Sequence, residues 1–179
     1  MLQRLPDLPL VKQKSNYTCG AASLLCVLRF YGFRGLKESD LAKKLMTDIR
    51  FGVDSGTLAK VAKRYGLKAQ CRVGLKISDL ELELKKGHPV IVDFQAWRTH
   101  KEQRSPWRKI WVDGHYSVIQ NMDRWHIWLM DPWIGRIVRL THRQFLARWH
   151  TDETRSDDRP TKHRVRRSAV IIHGRADKP

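Results

Sequence analysis

Three side chains far apart in the chain have the types that thiol chemistry requires. Cys19 stands in YTCGAA, at the head of the apolar run CGAASLLCVLRFY. A helix starting there would place roughly half a positive charge beside the sulfur, which favours the thiolate and makes Cys19 a candidate nucleophile. Gly20 and Ala21 are small enough for a substrate backbone to approach, and the Cys19 N–H can meet an incoming carbonyl oxygen. A nucleophilic thiol needs a base, and the base needs a group that fixes its tautomer. His115 and Asp131 bracket the hairpin pattern GHYSVIQNMDRWHIWLMDP. A turn centred on Asp123 leaves His115 and Asp131 equidistant from it and therefore directly opposed, with Cβ atoms about 5 Å apart. Gln13, in the extended approach to Cys19, offers a side-chain amide to an oxyanion. Cys26, deeper in the same run, and Cys71 read as inert thiols.

Positioning these groups is the work of two unlike halves. Helices are expected at Cys19–Tyr31, stopped by Gly32, at Glu38–Leu45, at about Thr57–Tyr65 with Asp54 or Ser55 as cap, and at Ser78–Lys86, closed by Gly87. The first is apolar all round, so it is expected to be buried and central. After Pro89 short β-rich runs follow: PVIVDFQAW, HYSVIQN, WHIWLM, RIVRL and finally VRRSAVII, with a return helix at Arg143–Trp149. Helices followed by strands predict an α+β fold around an antiparallel sheet. Length argues for one domain over residues 1–179, helical to about 88 and sheet from about 89. Arg98–Asp113 and Thr151–Arg159 read as long loops, and the basic part of the first, at 98–109, is a candidate substrate-gating lid beside His115.

The chain has 35 Lys plus Arg against 18 Asp plus Glu, a formal net charge of +17. A field of that sign suits anionic partners, so nucleic acid or an acidic protein is a possible ligand class. Six of the seven tryptophans fall between Trp97 and Trp133, interleaved with basic residues as single-stranded nucleic acid would require, although Trp125 and Trp128 are expected to pack in the sheet. Arg159, Lys162, Arg164, Arg166 and Arg167 are placed to guard an edge strand against pairing. Three cysteines without CxxC spacing argue against a disulfide scaffold or a zinc site. His88, His100, His126, His142, His150, His163 and His173 show no HExxH spacing, and no phosphate-cradling glycine loop is present, so no metal or organic cofactor is implied. The start lacks an apolar secretory core and no run is long enough to span a bilayer, which points to the cytoplasm.

Gln13, Cys19 opening CGAASLLCVLRFYG, GHYSVI at 114–119 and DPWIG at 131–135 together resemble the bacteriocin-processing, or double-glycine, cysteine peptidases and their stand-alone relatives. The resemblance covers about residues 10–140. It implies a papain-like fold in which Cys19 attacks a peptide carbonyl, His115 is the base, Asp131 orients it and Gln13 completes the oxyanion hole. Thr18 stands where the processing peptidases often carry Asp, and no transporter domain accompanies the sequence, so the substrate is left open. The expected activity is peptide hydrolysis through an acyl-enzyme. The alternatives are acyl transfer or transpeptidation by the same thiol, and a non-catalytic basic module that binds nucleic acid or an acidic partner.

Overall fold

The computed structural model describes residues 3–111, 114–154 and 162–175. Helix α1 spans Cys19–Phe30, and its residues from Cys19 through Leu28 are buried. The all-round apolar composition thus yields a central helix. Its chain leaves through Gly32 at φ 84°, a left-handed position that glycine occupies without strain. Helix α2 spans Glu38–Lys44 and α3 spans Ser55–Arg64, the latter capped by the Asp54 carboxylate accepting from the Thr57 N–H at 2.9 Å. Helix α4 spans Ile77–Lys85, and α5 spans His142–Arg148 behind a Thr141/Gln144 capping box. Among the described residues no helix is long and apolar enough to cross a membrane.

The strands are β1 (Gln3–Arg4), β2 (Leu67–Arg72), β3 (Val90–Gln95), β4 (Gly114–Met122), β5 (His126–Asp131), β6 (Arg136–Thr141), β7 (His150–Thr154), β8 (Lys162–Arg166) and β9 (Ala169–Arg175). Seven of them form one antiparallel sheet in the order β2-β9-β3-β4-β5-β6, with β1 pairing the far end of β4. All six residues of β3 are buried. A strand covered on both faces reads as the continuous apolar run seen in its sequence. Helix α1 packs on β4, and α5 packs beside β3, β5 and β6. The result is the expected α+β architecture, with β2 contributed by the helical half.

Three expectations about strands need correction. The run VRRSAVII is two strands: β8 ends at Arg166, Arg167 turns the chain at φ 56°, and β9 enters the large sheet. Thr151–Thr154, expected to be loop, forms β7, which pairs with β8 in a separate two-stranded sheet. Its polar sequence HTDET has no apolar alternation to announce it. Third, the β4–β5 register is not centred on Asp123. The Asp123 carboxylate accepts from both the Trp125 and His126 N–H groups, each at 2.7 Å, so a three-residue Asx turn carries the reversal past Asp123. Pairing then runs Met122↔Ile127 and Asn121↔Trp128, and a bulge at Gln120 shifts it to Ile119↔Leu129 and Val118↔Met130. Trp125, at that turn, is 63% exposed and does not pack in the sheet. Of the basic residues placed at an edge, Arg164 and Arg166 lie on β8, and Arg159 falls outside the described residues.

Candidate active site

Cys19 is the first residue of α1, and no side chain among the described residues caps that end of the helix. The Thr18 hydroxyl turns back to the Ser15 carbonyl at 3.1 Å instead. The first turn also carries no acidic residue. Its N–H groups are therefore left to whatever anion approaches Cys19, and the helix dipole favours negative charge there. Gly20 is required for a reason the sequence does not disclose. A Cβ there would sit 2.5 Å from Val53 Cγ1 and 3.2 Å from Tyr116 Cδ2, so the space is filled by the protein itself rather than kept for substrate.

His115, at the head of β4, is 1% exposed. Its Nε2–H donates to Asp131 Oδ1 at 2.9 Å, and the Cys19 thiol lies close enough for its charge to act on the ring. With Nε2 committed to the carboxylate, Nδ1 is the nitrogen left for sulfur. The corrected register explains how this contact survives. The pairs nearest the site are displaced by two residues from the expected match, and an even displacement keeps side chains on the same face. His115 and Asp131 thus meet as diagonal rather than opposed neighbours. Burial disfavours the imidazolium, but the hydrogen bonds and charges of Asp131 and Cys19 outweigh it and push His115 up to about 9.

Asp131 is itself fixed. Its Oδ1 accepts from the Trp133 N–H at 2.9 Å, and its carbonyl accepts from the Gly135 N–H at 2.8 Å, closing the DPWIG turn. Gln13 is anchored beside this turn, its N–H donating to the Pro132 carbonyl at 2.7 Å. Its side-chain amide donates to the Ser15 carbonyl at 2.6 Å, so one amide N–H is engaged and the second remains. Trp97 and Trp133 roof the pair. The Trp97 ring centroid lies 4.5 Å from that of His115 and 5.6 Å from that of Trp133.

Cys19 opens on a cleft of about 670 Å³ that Trp97, Glu102 and Lys109 border from the loop before His115. That volume is in the range of a site enclosing a few side chains. Asp93, Tyr116 and Glu153 also line this cleft, a feature the sequence reading missed. Asp93 is 5% exposed, and its Oδ1 has no hydrogen-bond partner among the described residues. Burial and the nearby Glu153 push it up to about 7. Ser55 bridges the group, hydrogen-bonding Glu153 and lying 3.1 Å from the Tyr116 hydroxyl. A single aspartate inside the apolar run PVIVDFQ carries no signal of such a neighbourhood. Two tryptophans of the basic segment are occupied internally. Arg98 and Arg148 each lie 4.0 Å from the Trp107 centroid, and Arg164 and Arg166 each lie 4.8 Å from that of Trp111.

The model of the Peptidase_C39 like family matches residues 6–156. The chain belongs to that family. Two archaeal relatives agree with it over most of their length and are described only as uncharacterized. One, from Methanothermobacter thermautotrophicus, is 32% identical over 164 residues, which is 89% of this chain and 95% of the relative. The other, from Methanothermobacter marburgensis, is 32% identical over 137 residues, 74% and 78% of the two chains. Among solved structures, one described as a C39-like peptidase from Bacillus anthracis superposes with a TM-score of 0.72 at 18% identity, covering 99% of this chain and 100% of that one. A double-glycine motif protease from an AMS/PCAT transporter, in complex with the leader peptide, gives 0.62 at 19% identity over 94% and 92%. The peptidase domain of Streptococcus ComA, a bifunctional ABC transporter of a quorum-sensing pathway, gives 0.60 at 16% identity over 94% and 99%. The C39 papain-like fold is therefore shared across the chain.

Proposed function

We propose that this C39-like chain is a cysteine peptidase that hydrolyses peptide bonds through an acyl-enzyme on Cys19. The observation that carries the reading is the buried His115 ring, its Nε2–H on Asp131 at 2.9 Å, within electrostatic reach of Cys19 at the open N-terminus of α1. In the first step the sulfur attacks the scissile carbonyl carbon. The oxyanion is met by the open N-terminus of α1, including the Cys19 N–H, and by the second amide N–H of Gln13. The imidazolium of His115 gives its proton to the leaving amine as the C–N bond breaks, leaving a thioester. Water then donates a proton to His115, its oxygen attacks the thioester, and the acid product departs with the thiolate restored. Asp131 keeps the ring in the tautomer both steps need.

The leader peptide held by the double-glycine protease, a structural neighbour, supports a peptide as the substrate class. The loop at 98–109 borders the cleft through Glu102 and Lys109, which supports reading it as the gate. The test is acylation by a thiol-directed electrophilic peptide. The native chain should label once, and Cys19→Ala should not label while its Tm stays nearly unchanged. Equal labelling of Cys19→Ala would overturn the assignment. An added amine that diverts the acyl group would move the reading to a transferase on the same site.

A further inference from the structure

The histidines that show no metal-binding spacing along the sequence do not stay scattered in space. Glu83 on α4, His88 in the turn that follows it and His173 on β9 come together, although 85 residues separate the two histidines. His88 Nδ1 lies 2.8 Å from Glu83 Oε2, His173 Nδ1 lies 3.3 Å from His88 Nδ1, and His173 Nδ1 lies 3.8 Å from Glu83 Oε2. The two rings meet edge to face, centroids 4.7 Å apart. Glu83 is 4% exposed, so its charge is held out of bulk solvent.

These separations are difficult to satisfy with protons alone. A neutral imidazole carries one proton on one of its two nitrogens. If the His88 Nδ1–H serves Glu83, that nitrogen cannot accept from His173, and a bare His173 Nδ1 at 3.3 Å shares the same proton only as a second, weaker branch. If His173 donates to His88 instead, the bare His88 Nδ1 faces a carboxylate oxygen at 2.8 Å. A metal ion bound at about 2.0–2.1 Å sets ligand atoms roughly 3.3 Å apart in a tetrahedron, close to the mean of the three distances here. We propose that Glu83, His88 and His173 bind one divalent transition-metal ion of the zinc type, with water completing the shell.

Two imidazole nitrogens and one carboxylate oxygen suit zinc, cobalt or nickel better than calcium or magnesium. The other carboxylate oxygen, Oε1, is held by Lys86 at 3.4 Å and approached by Arg72 at 4.0 Å, which keeps Glu83 monodentate. Their positive charges weaken the site relative to an all-neutral surround, so the ion is held less tightly than in a zinc finger. The location separates it from peptide cleavage. His88 precedes the start of β3, whereas His115 pairs with Phe94 near the other end of that strand. The ion would join the α4–β3 turn to β9 and close a long loop, a stabilising rather than chemical role.

The experiment uses tag-free, chelator-stripped protein carrying Cys19→Ala, so that the thiol cannot take the metal. Titration with zinc chloride followed by calorimetry and elemental analysis should give one equivalent per chain at micromolar free ion, with a higher Tm. His88→Gln and His173→Gln should each lose that equivalent while keeping the metal-free Tm and near-ultraviolet circular dichroism. No uptake, or an equivalent that survives His173→Gln, would mean that the cluster holds only a shared proton, and the assignment would fall. Should a variant not fold, imidazole nitrogen NMR of the parent decides instead. Zinc must then shift His88 and His173 selectively, and movement of other histidines alone refutes the site.

Discussion

Asp93 and His115 are both titratable groups that the fold holds away from their ordinary protonation, and each makes a prediction. Burial beside Glu153 raises Asp93 to about 7, above the value near 4 of an unfolded carboxyl. The folded state therefore binds this proton more tightly, so its contribution to stability is complete at low pH and is lost as pH rises from about 4 through 7. Asp93→Asn should raise Tm at pH 8 and flatten its dependence across that interval, as read by thermal unfolding. A lower Tm at pH 8 would mean that the carboxylate is compensated by a partner. For His115, raised to about 9, the sign is set by the leaving group. Peptide cleavage needs the imidazolium, so kcat/KM should fall as pH passes about 9. Alkylation of Cys19 by a small haloacetamide needs only the thiolate and should continue. Asp131→Asn removes the anion that helps to hold the proton on His115. It should move the alkaline limb to lower pH and reduce kcat/KM by roughly 10²- to 10⁴-fold. An unshifted limb would leave Asp131 a purely structural residue.

At the level of elements, the active geometry depends on close approaches that only glycine permits. Gly20→Ala would drive Val53 from a position 2.5 Å from the new carbon and should destabilise the chain by about 1–3 kcal/mol. Gly135 sits at φ 68°, and a Cβ there would lie 2.9 Å from Lys12 Cβ. Gly135→Ala should cost about 1–2 kcal/mol in denaturant unfolding and lower turnover as well, because the same turn fixes Asp131. Which elements the sequence discloses follows from the same physics. Helix α1 was legible because its apolar residues lie all round and Gly32 ends it. The hairpin of β4 and β5 was legible as a pair of strands, yet its register was not. The Asx turn at Asp123 and the bulge at Gln120 are local backbone events with no apolar signature. Among the described residues strand β7 pairs only with β8, and its buried positions, His150 and Thr151, are polar, so no alternation betrays it. Cys19, His115, Asp131 and Gln13 could be singled out because their combination in order is specific, whereas Asp93 and the Glu83–His88–His173 group depend on contacts between segments distant in the chain.

For the whole molecule, the net charge of +17 is a standing repulsion. Raising ionic strength from about 0.02 to 0.3 M shortens the screening length to below 10 Å and should raise Tm in a scanning measurement. A fall would show that attractive pairs outweigh the repulsion. The order of the large sheet sets a second global constraint. Strand β9 lies between β2 and β3 and pairs with both, although β2 precedes it by about a hundred residues. No earlier strand takes that place. During synthesis on the ribosome β2 and β3 must therefore wait with bare edges, open to mispairing, until the segment from Ala169 clears the exit tunnel. The polypeptide is consequently committed to a late step in which β9 joins β2 to the strands already paired with β3, and an arrested nascent chain lacking that segment should be a preferred client of chaperones that shield unpaired edges.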